Sequence, residues 1–176
     1  MVASSRQGLP QGKVVLLLVN NPGCGAQQRA ERLGVPCTVI NHRHYASRDA
    51  LDHALVQALE NAAVDLVVMA GWMRIVTPVL IDAFPQRLVN IHPSLLPSFR
   101  GLEGAKQALQ AGVTLAGCTA HLVTAEVDAG PILVQAAVPV LQGDDLQALS
   151  ARIRVQEHRI LPLAVEIAGQ RLGLLD

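Results

Sequence analysis

Unbroken apolar runs of strand length, alternating with segments of helical length, predict an α/β fold for this 176-residue chain. Val14-Val15-Leu16-Leu17-Leu18-Val19 carries no polar residue, and Leu66-Val67-Val68-Met69 repeats the pattern. Such runs mark strands covered on both faces, whereas a sheet with one wet face alternates apolar and polar residues. Hydrophobic residues make up 51% of the chain and aromatic ones 2%, so the core must be built mainly from Ala, Val and Leu. The expected architecture is a Rossmann-like, mainly parallel open sheet with helices on both faces and an antiparallel C-terminal edge.

Each element has its own signal. Residues 14–19 form a strand ended by Asn20-Asn21-Pro22-Gly23. A helix over 24–33 is stopped by Gly34 and Pro36, and 37–40 is a short second strand. Ser47 is a candidate N-cap for a helix reaching residue 61, with Asp49 in its first turn. Residues 64–69 are a third strand. Thr77-Pro78 places an N-cap before proline at the first helical position, and that helix should end near Phe84-Pro85. Residues 88–91 are a fourth strand, and 101–111 a helix closed by Gly112. The apolar segments 117–123 and 132–140, joined by a turn-rich stretch, should pair antiparallel. A last helix spans 145–168, with a bend expected near Pro162. One domain over residues 1–176 suits this length.

Charge and cysteine usage narrow the function classes. Lys+Arg and Asp+Glu both number 14, giving no net charge, and no basic surplus points to nucleic acid. Arg152, Arg154 and Arg159, with Glu157 among them, read as a solvated helix face. Cys24, Cys37 and Cys118 form no CxxC pair and no metal cluster, which fits reduced thiols in a cytoplasmic protein. No stretch approaches the roughly 18 apolar residues of a membrane span. Residues 1–12 lack the apolar centre of a signal peptide. Small-molecule substrates are therefore expected, with no membrane partner; monomer and homodimer both stay open.

In open parallel sheets, ligands gather beyond the carboxyl ends of the strands. The richest strand end is Asn90-Ile91-His92-Pro93-Ser94-Leu95-Leu96-Pro97. Asn90 and His92, two residues apart on a strand, share one side. An amide donor beside the side chain that titrates near neutrality suits the holding of an oxyanion. Pro93 and Pro97 restrict φ and stiffen the loop behind them. Asp128, before Ala129-Gly130-Pro131, lies where a turn would present its carboxylate. On residue type and spacing alone, a structural strand-end pair and an ordinary turn aspartate remain open readings.

Taken in order, residues 90–97, then His121, then Asp128-Ala129-Gly130-Pro131, closely resemble the phosphoribosylglycinamide (glycinamide ribonucleotide) formyltransferases. The likeness runs from about residue 13 to 172 and takes in Ala70-Gly71-Trp72-Met73-Arg74-Ile75 and Gln156-Glu157-His158. It implies the formyltransferase fold and a purine-biosynthetic reaction. In that reaction the amine of glycinamide ribonucleotide takes the formyl group of 10-formyltetrahydrofolate, a co-substrate, with no metal. The resemblance assigns the oxyanion to Asn90 and protonated His92. Asp128 would stabilise the protonated ring by its charge and assist proton transfer through water. It places the pterin against Met73, Arg74, Ile75 and Val76, with Asn90 also on the folate side. Arg48 would take the folate's acidic tail, since a guanidinium donates two parallel hydrogen bonds to a carboxylate. Glu157 would bind the ribose hydroxyls. His121 reads as a packed, hydrogen-bonded histidine.

One departure stands out. Members of that family begin with a strand, a Gly-x-Gly-Ser-Asn loop and a helix, whose amides hold the substrate phosphate. No such loop occurs here. Residues 14–20 match the family's second strand, so 1–12 read as the tail of a first helix, and the first strand is expected to be missing from an N-terminally truncated chain. Gly23-Cys24-Gly25-Ala26-Gln27-Gln28 lacks a third glycine, and no acidic residue follows Ile40, so it reads as a turn and helix start. Charge-assisted phosphate contacts are each worth about 1.5–3 kcal/mol, and their loss predicts little or no turnover. A formyltetrahydrofolate hydrolase and a non-catalytic folate-binding remnant remain alternatives, while formylation of a tRNA fits the absent basic charge poorly.

Overall fold

The computed structural model describes residues 12–175. The expectation for residues 1–12 as the end of a first helix therefore lies, but for Gly12, outside the described residues. The elements are β1 (Leu17–Val19), α1 (Gly25–Leu33), β2 (Cys37–Val39), α2 (Arg48–Asn61), β3 (Val67–Met69) and α3 (Pro78–Ala83). They continue with β4 (Leu88–His92), α4 (Gly104–Gln110), β5 (Leu115–Leu122), β6 (Ile132–Pro139) and α5 (Leu146–Arg171). A 3-10 turn at His42–His44 joins the elements expected from the sequence.

Helix ends follow local chemistry. Ser47 Oγ accepts the Ala50 N–H at 3.1 Å, and Asp145 Oδ1 accepts that of Ala148 at 2.7 Å, each satisfying an amide that the helix itself leaves unpaired. Gly34 closes α1 in the left-handed conformation. At α3 the Thr77 hydroxyl does not cap. Instead the buried carboxylate of Asp52, on α2, accepts the Thr77 N–H at 2.6 Å and ties the two helices together. The helix expected from residue 101 begins at Gly104, because Gly101 and Glu103 both have positive φ and cannot continue a right-handed helix.

β3, β4, β5 and β6 form one sheet in that order, with β3–β4 parallel and the next two pairs antiparallel. The antiparallel C-terminal edge is thus present. The parallel part differs from one continuous sheet: among the described residues β1 and β2 pair as a separate two-stranded sheet. Both β1 and β3 are shorter than their apolar runs, and among the described residues each has a hydrogen-bonded neighbour on one side only. Their residues are mostly half-buried, whereas Leu88 and Val89 of β4, flanked on both sides, are 1% and 0% exposed.

Adjacent strand residues point to opposite faces, and Leu88 and Val89 belong to different cores. Val89 packs with Ala116, Cys118 and Ala120 of β5 and with Leu149, Ile153 and Ala164 of α5. The small side chains on β5 let α5 lie close. Leu88 packs with Leu51, Leu55 and Leu59 of α2, and with Leu80 and Phe84. Helices therefore cover both faces of the four-stranded sheet, as expected.

Arg152 on α5 donates to Asp144 Oδ2 and Oδ1 at 2.7 and 3.0 Å and to the Pro139 carbonyl at 2.7 Å, joining the end of β6 to α5. The Arg152 guanidinium holds the Asp144 carboxyl down at about 2, from an ordinary value of 3.8. A carboxylate depressed by folding contributes stability that is present above its unfolded value and lost as pH falls through its folded one. Denaturant midpoints should therefore fall in wild type between pH 3.8 and about 2 more steeply than in Asp144→Asn.

Candidate active site

The antiparallel register of β4 with β5 sets Asn90 opposite His121 and His92 opposite Thr119. Alternation puts Asn90 and His92 on one face of β4, and their β5 partners share it. His121 Nδ1 lies 2.8 Å from the Leu122 carbonyl oxygen, which can only accept, so Nδ1 carries the proton. In the neutral ring Nε2 is then an acceptor. It receives the amide of Asn90, whose Nδ2 is 3.3 Å away. Burial pushes the His121 pKa down, opposed by the Leu122 carbonyl and by Asp128, so the neutral form prevails near neutral pH.

Asp128 adopts a left-handed backbone with φ 51°, which a short polar side chain tolerates better than most. Its turn brings Oδ2 to 3.3 Å from His92 Nδ1 and Oδ1 to 3.6 Å from His121 Nε2. The Gly101 N–H also donates to Oδ2, at 2.9 Å. His92 Nε2 donates to the Phe99 carbonyl at 2.9 Å. With one ring nitrogen donating to a carbonyl and the other facing a carboxylate, this geometry suits the imidazolium. The His92 and Asp128 side chains are 7% and 9% exposed, so the pair is largely shielded from water.

The three residues singled out from the sequence therefore converge. One detail differs from the expected sharing of an oxyanion between Asn90 and His92. Both ring nitrogens of His92 already face protein groups, whereas Asn90 keeps its second amide hydrogen without a partner among the described residues.

The loop after β4 is held from beneath. The Thr119 hydroxyl donates to the Ser94 carbonyl at 2.7 Å and accepts the Leu96 N–H at 3.0 Å. Gln135 Nε2 lies 2.9 Å from both the Thr119 hydroxyl and the Leu96 carbonyl, and Ser94 Oγ donates to the Ser98 carbonyl at 2.6 Å. This network ends one residue before Phe99, whose carbonyl orients His92. Sequence reasoning missed Phe99 and Gly101, because their contributions are backbone groups set by positive φ rather than side chains.

The other expected site residues stand apart. Arg48 is the exposed first residue of α2, without a hydrogen bond or ion pair among the described residues. Met73, Arg74 and Ile75 are exposed, Met73 at 74%, and Val76 is half-buried against the Leu88 core; this stretch follows β3. No hydrogen bond or ion pair among the described residues joins residues 73–76 to the Asn90–His92–Asp128 cluster. Glu157 is half-buried on α5. Burial raises its carboxyl above the ordinary range, opposed by His158, by Arg154 and by His92, so it lies within electrostatic reach of the cluster. At the turn before α1, the Gly23 N–H donates to Gln27 Oε1 at 2.9 Å and is spent within the turn.

The α/β fold thus gathers an amide and an imidazole from an interior strand and a carboxylate from a turn into one cluster. The chain belongs to the formyl transferase family, whose model matches residues 1–165. It is 39% identical to the phosphoribosylglycinamide formyltransferase of Escherichia coli K12, over 88% of this chain and 73% of that protein. It is 40% identical to the trifunctional purine biosynthetic protein adenosine-3 of Bos taurus over 98% of this chain, yet spans only 17% of that longer protein. The crystal structure of glycinamide ribonucleotide transformylase 1 from Symbiobacterium toebii superposes with a TM-score of 0.91 at 48% identity, covering 93% of this chain and 77% of that one. Among the described residues no group of three or more His, Cys, Asp or Glu side chains could hold a metal, and no helix is long and apolar enough to cross a membrane.

Replacing Thr119 by valine keeps the shape but strands the Leu96 N–H and Ser94 carbonyl in a dry interior. Each unsatisfied buried group costs about 1–3 kcal/mol, so Thr119→Val should lower the thermal midpoint clearly, while Thr119→Ser, which keeps the hydroxyl, should not. Calorimetry of the two variants checks this.

Proposed function

We propose that this chain transfers the formyl group of 10-formyltetrahydrofolate to the amine of glycinamide ribonucleotide, a step of purine biosynthesis, with Asn90, His92 and Asp128 as its catalytic residues. The observation that carries the reading is the convergence of these three side chains, through contacts of 3.3–3.6 Å that also include His121. The substrate amine attacks the formyl carbon, and the carbonyl oxygen takes up negative charge. The unpaired amide hydrogen of Asn90 is the donor for that oxygen, and the positive ring of His92 stabilises it through space. The attacking amine must lose a proton, and the departing folate nitrogen must gain one. Asp128 accepts the first through water and returns the second by the same route. The partners are then small molecules, and residues 1–176 act as one formyltransferase-type domain.

On the folate side, the backbone of Met73, Arg74, Ile75 and Val76 meets the pterin, and Arg48 meets the acidic tail. Among the described residues no hydrogen bond or ion pair engages that guanidinium, which suits it to a carboxylate. On the nucleotide side, Glu157 accepts from the ribose hydroxyls.

Formyl loss from 10-formyltetrahydrofolate, followed with and without glycinamide ribonucleotide, tests the reading. Product should form only with the nucleotide. Asn90→Ala should lower kcat by about 10²–10³. Formyl release to water at the same rate without the nucleotide, or no product at saturating nucleotide, would refute it.

A further inference from the structure

We infer that His121 is a positioning residue that acts through its unprotonated Nε2: it orients the amide of Asn90 and leaves one oxygen of Asp128 unbonded for proton transfer. The inference deepens the formyl-transfer reading and rests on it for its kinetic consequences, though not for its structural ones.

An asparagine amide is close to symmetric in shape, so something must decide which end points where. The amide of Asn90 has two ends and two faces to choose between. His121 decides through its tautomer. Its Nδ1–H is committed to the Leu122 carbonyl at 2.8 Å, so Nε2 presents a lone pair to position 90. Only the NH2 end of the amide can satisfy that lone pair, and it does so at 3.3 Å. One amide hydrogen is thereby fixed, and planarity of the amide fixes the direction of the other.

The same lone pair governs Asp128. Oδ2 of Asp128 faces His92 Nδ1 at 3.3 Å and accepts from the Gly101 N–H at 2.9 Å, so it is engaged. Oδ1 lies 3.6 Å from His121 Nε2, a nitrogen with no hydrogen to offer, and has no other partner among the described residues. A carboxylate with one anchored and one unbonded oxygen is suited to exchanging a proton with water. Protonation of His121 at Nε2 would reverse both effects: the new N–H would bond to Oδ1 of Asp128 and push the amide of Asn90 away. His121 is 2% exposed, and burial opposes that charge.

The test uses the whole chain labelled with nitrogen-15 in histidine. Nitrogen shifts at neutral pH should report His121 as the neutral ring with its proton on Nδ1. A Nε2–H tautomer or an imidazolium would overturn the inference whether or not the chain turns over. In kinetics, His121→Phe should lower kcat between about tenfold and a hundredfold with KM for the folate unchanged. His121→Gln, which offers an acceptor oxygen to position 90, should recover part of the loss. The decisive comparison is non-additivity: in an Asn90→Ala background, His121→Phe should bring little further loss of kcat. A full additional loss there, in a variant whose thermal midpoint shows it folded, would mean that His121 acts independently of Asn90 and would also overturn the inference. If no variant or wild type forms product, the formyl-transfer reading fails while the tautomer measurement still decides this one.

Discussion

Because β4 pairs antiparallel with β5, Asn90 and His121, 31 positions apart in the chain, face each other across 3.3 Å. Everything else in the site is referenced to that pairing. A shift by one residue would turn the whole of one strand's side chains to the opposite face, carrying the amide and imidazoles into the apolar core. The register is held by the face opposite the site, where Ala116, Cys118 and Ala120 present a surface low enough for α5 to pack on. It is held again at the strand end, where the Thr119 hydroxyl, opposite His92, binds the backbone of the following loop. The apolar face thus stabilises the pairing, and the polar face uses the geometry it sets.

Concentrating charge in so enclosed a place needs compensation. Buried ionised groups are tolerated when they are paired and hydrogen-bonded, and costly when they are not. His92 and Asp128 face each other, and backbone groups from one short loop, the Phe99 carbonyl and the Gly101 amide, complete their shells. His121 avoids the problem by staying neutral. Phe99 and Asp128 sit at positive φ, a conformation that costs of order 1–3 kcal/mol in a non-glycine residue and tends to be kept where function requires it. Here both strained positions aim a group at the same imidazole.

The residues around this cluster are unevenly placed. Glu157 lies half-buried on α5, and residues 73–75 lie exposed beyond β3. The turn before α1 closes on itself through Gln27. The sheet shows a related division, with β1 and β2 paired apart from the other four strands and their apolar runs only half-buried.

Much of this was legible in the sequence. Ser47 and Asp145 mark their helix starts because an N-cap is a local interaction, complete within four residues. The apolar run at residues 67–69 and the two facing segments that became β5 and β6 announced strands because periodicity is also local. Asn90, His92 and Asp128 could be picked out as side chains of suitable chemistry, and their order along the chain carried the family likeness. What the sequence left open was decided by contacts between distant segments. The late start of α4, the tautomer of His121 and the engagement of both nitrogens of His92 depend on backbone carbonyls and amides, which every residue carries alike. Such groups acquire direction only once the chain has folded around them, so residue identity determined which chemistry was available and tertiary structure decided where it points.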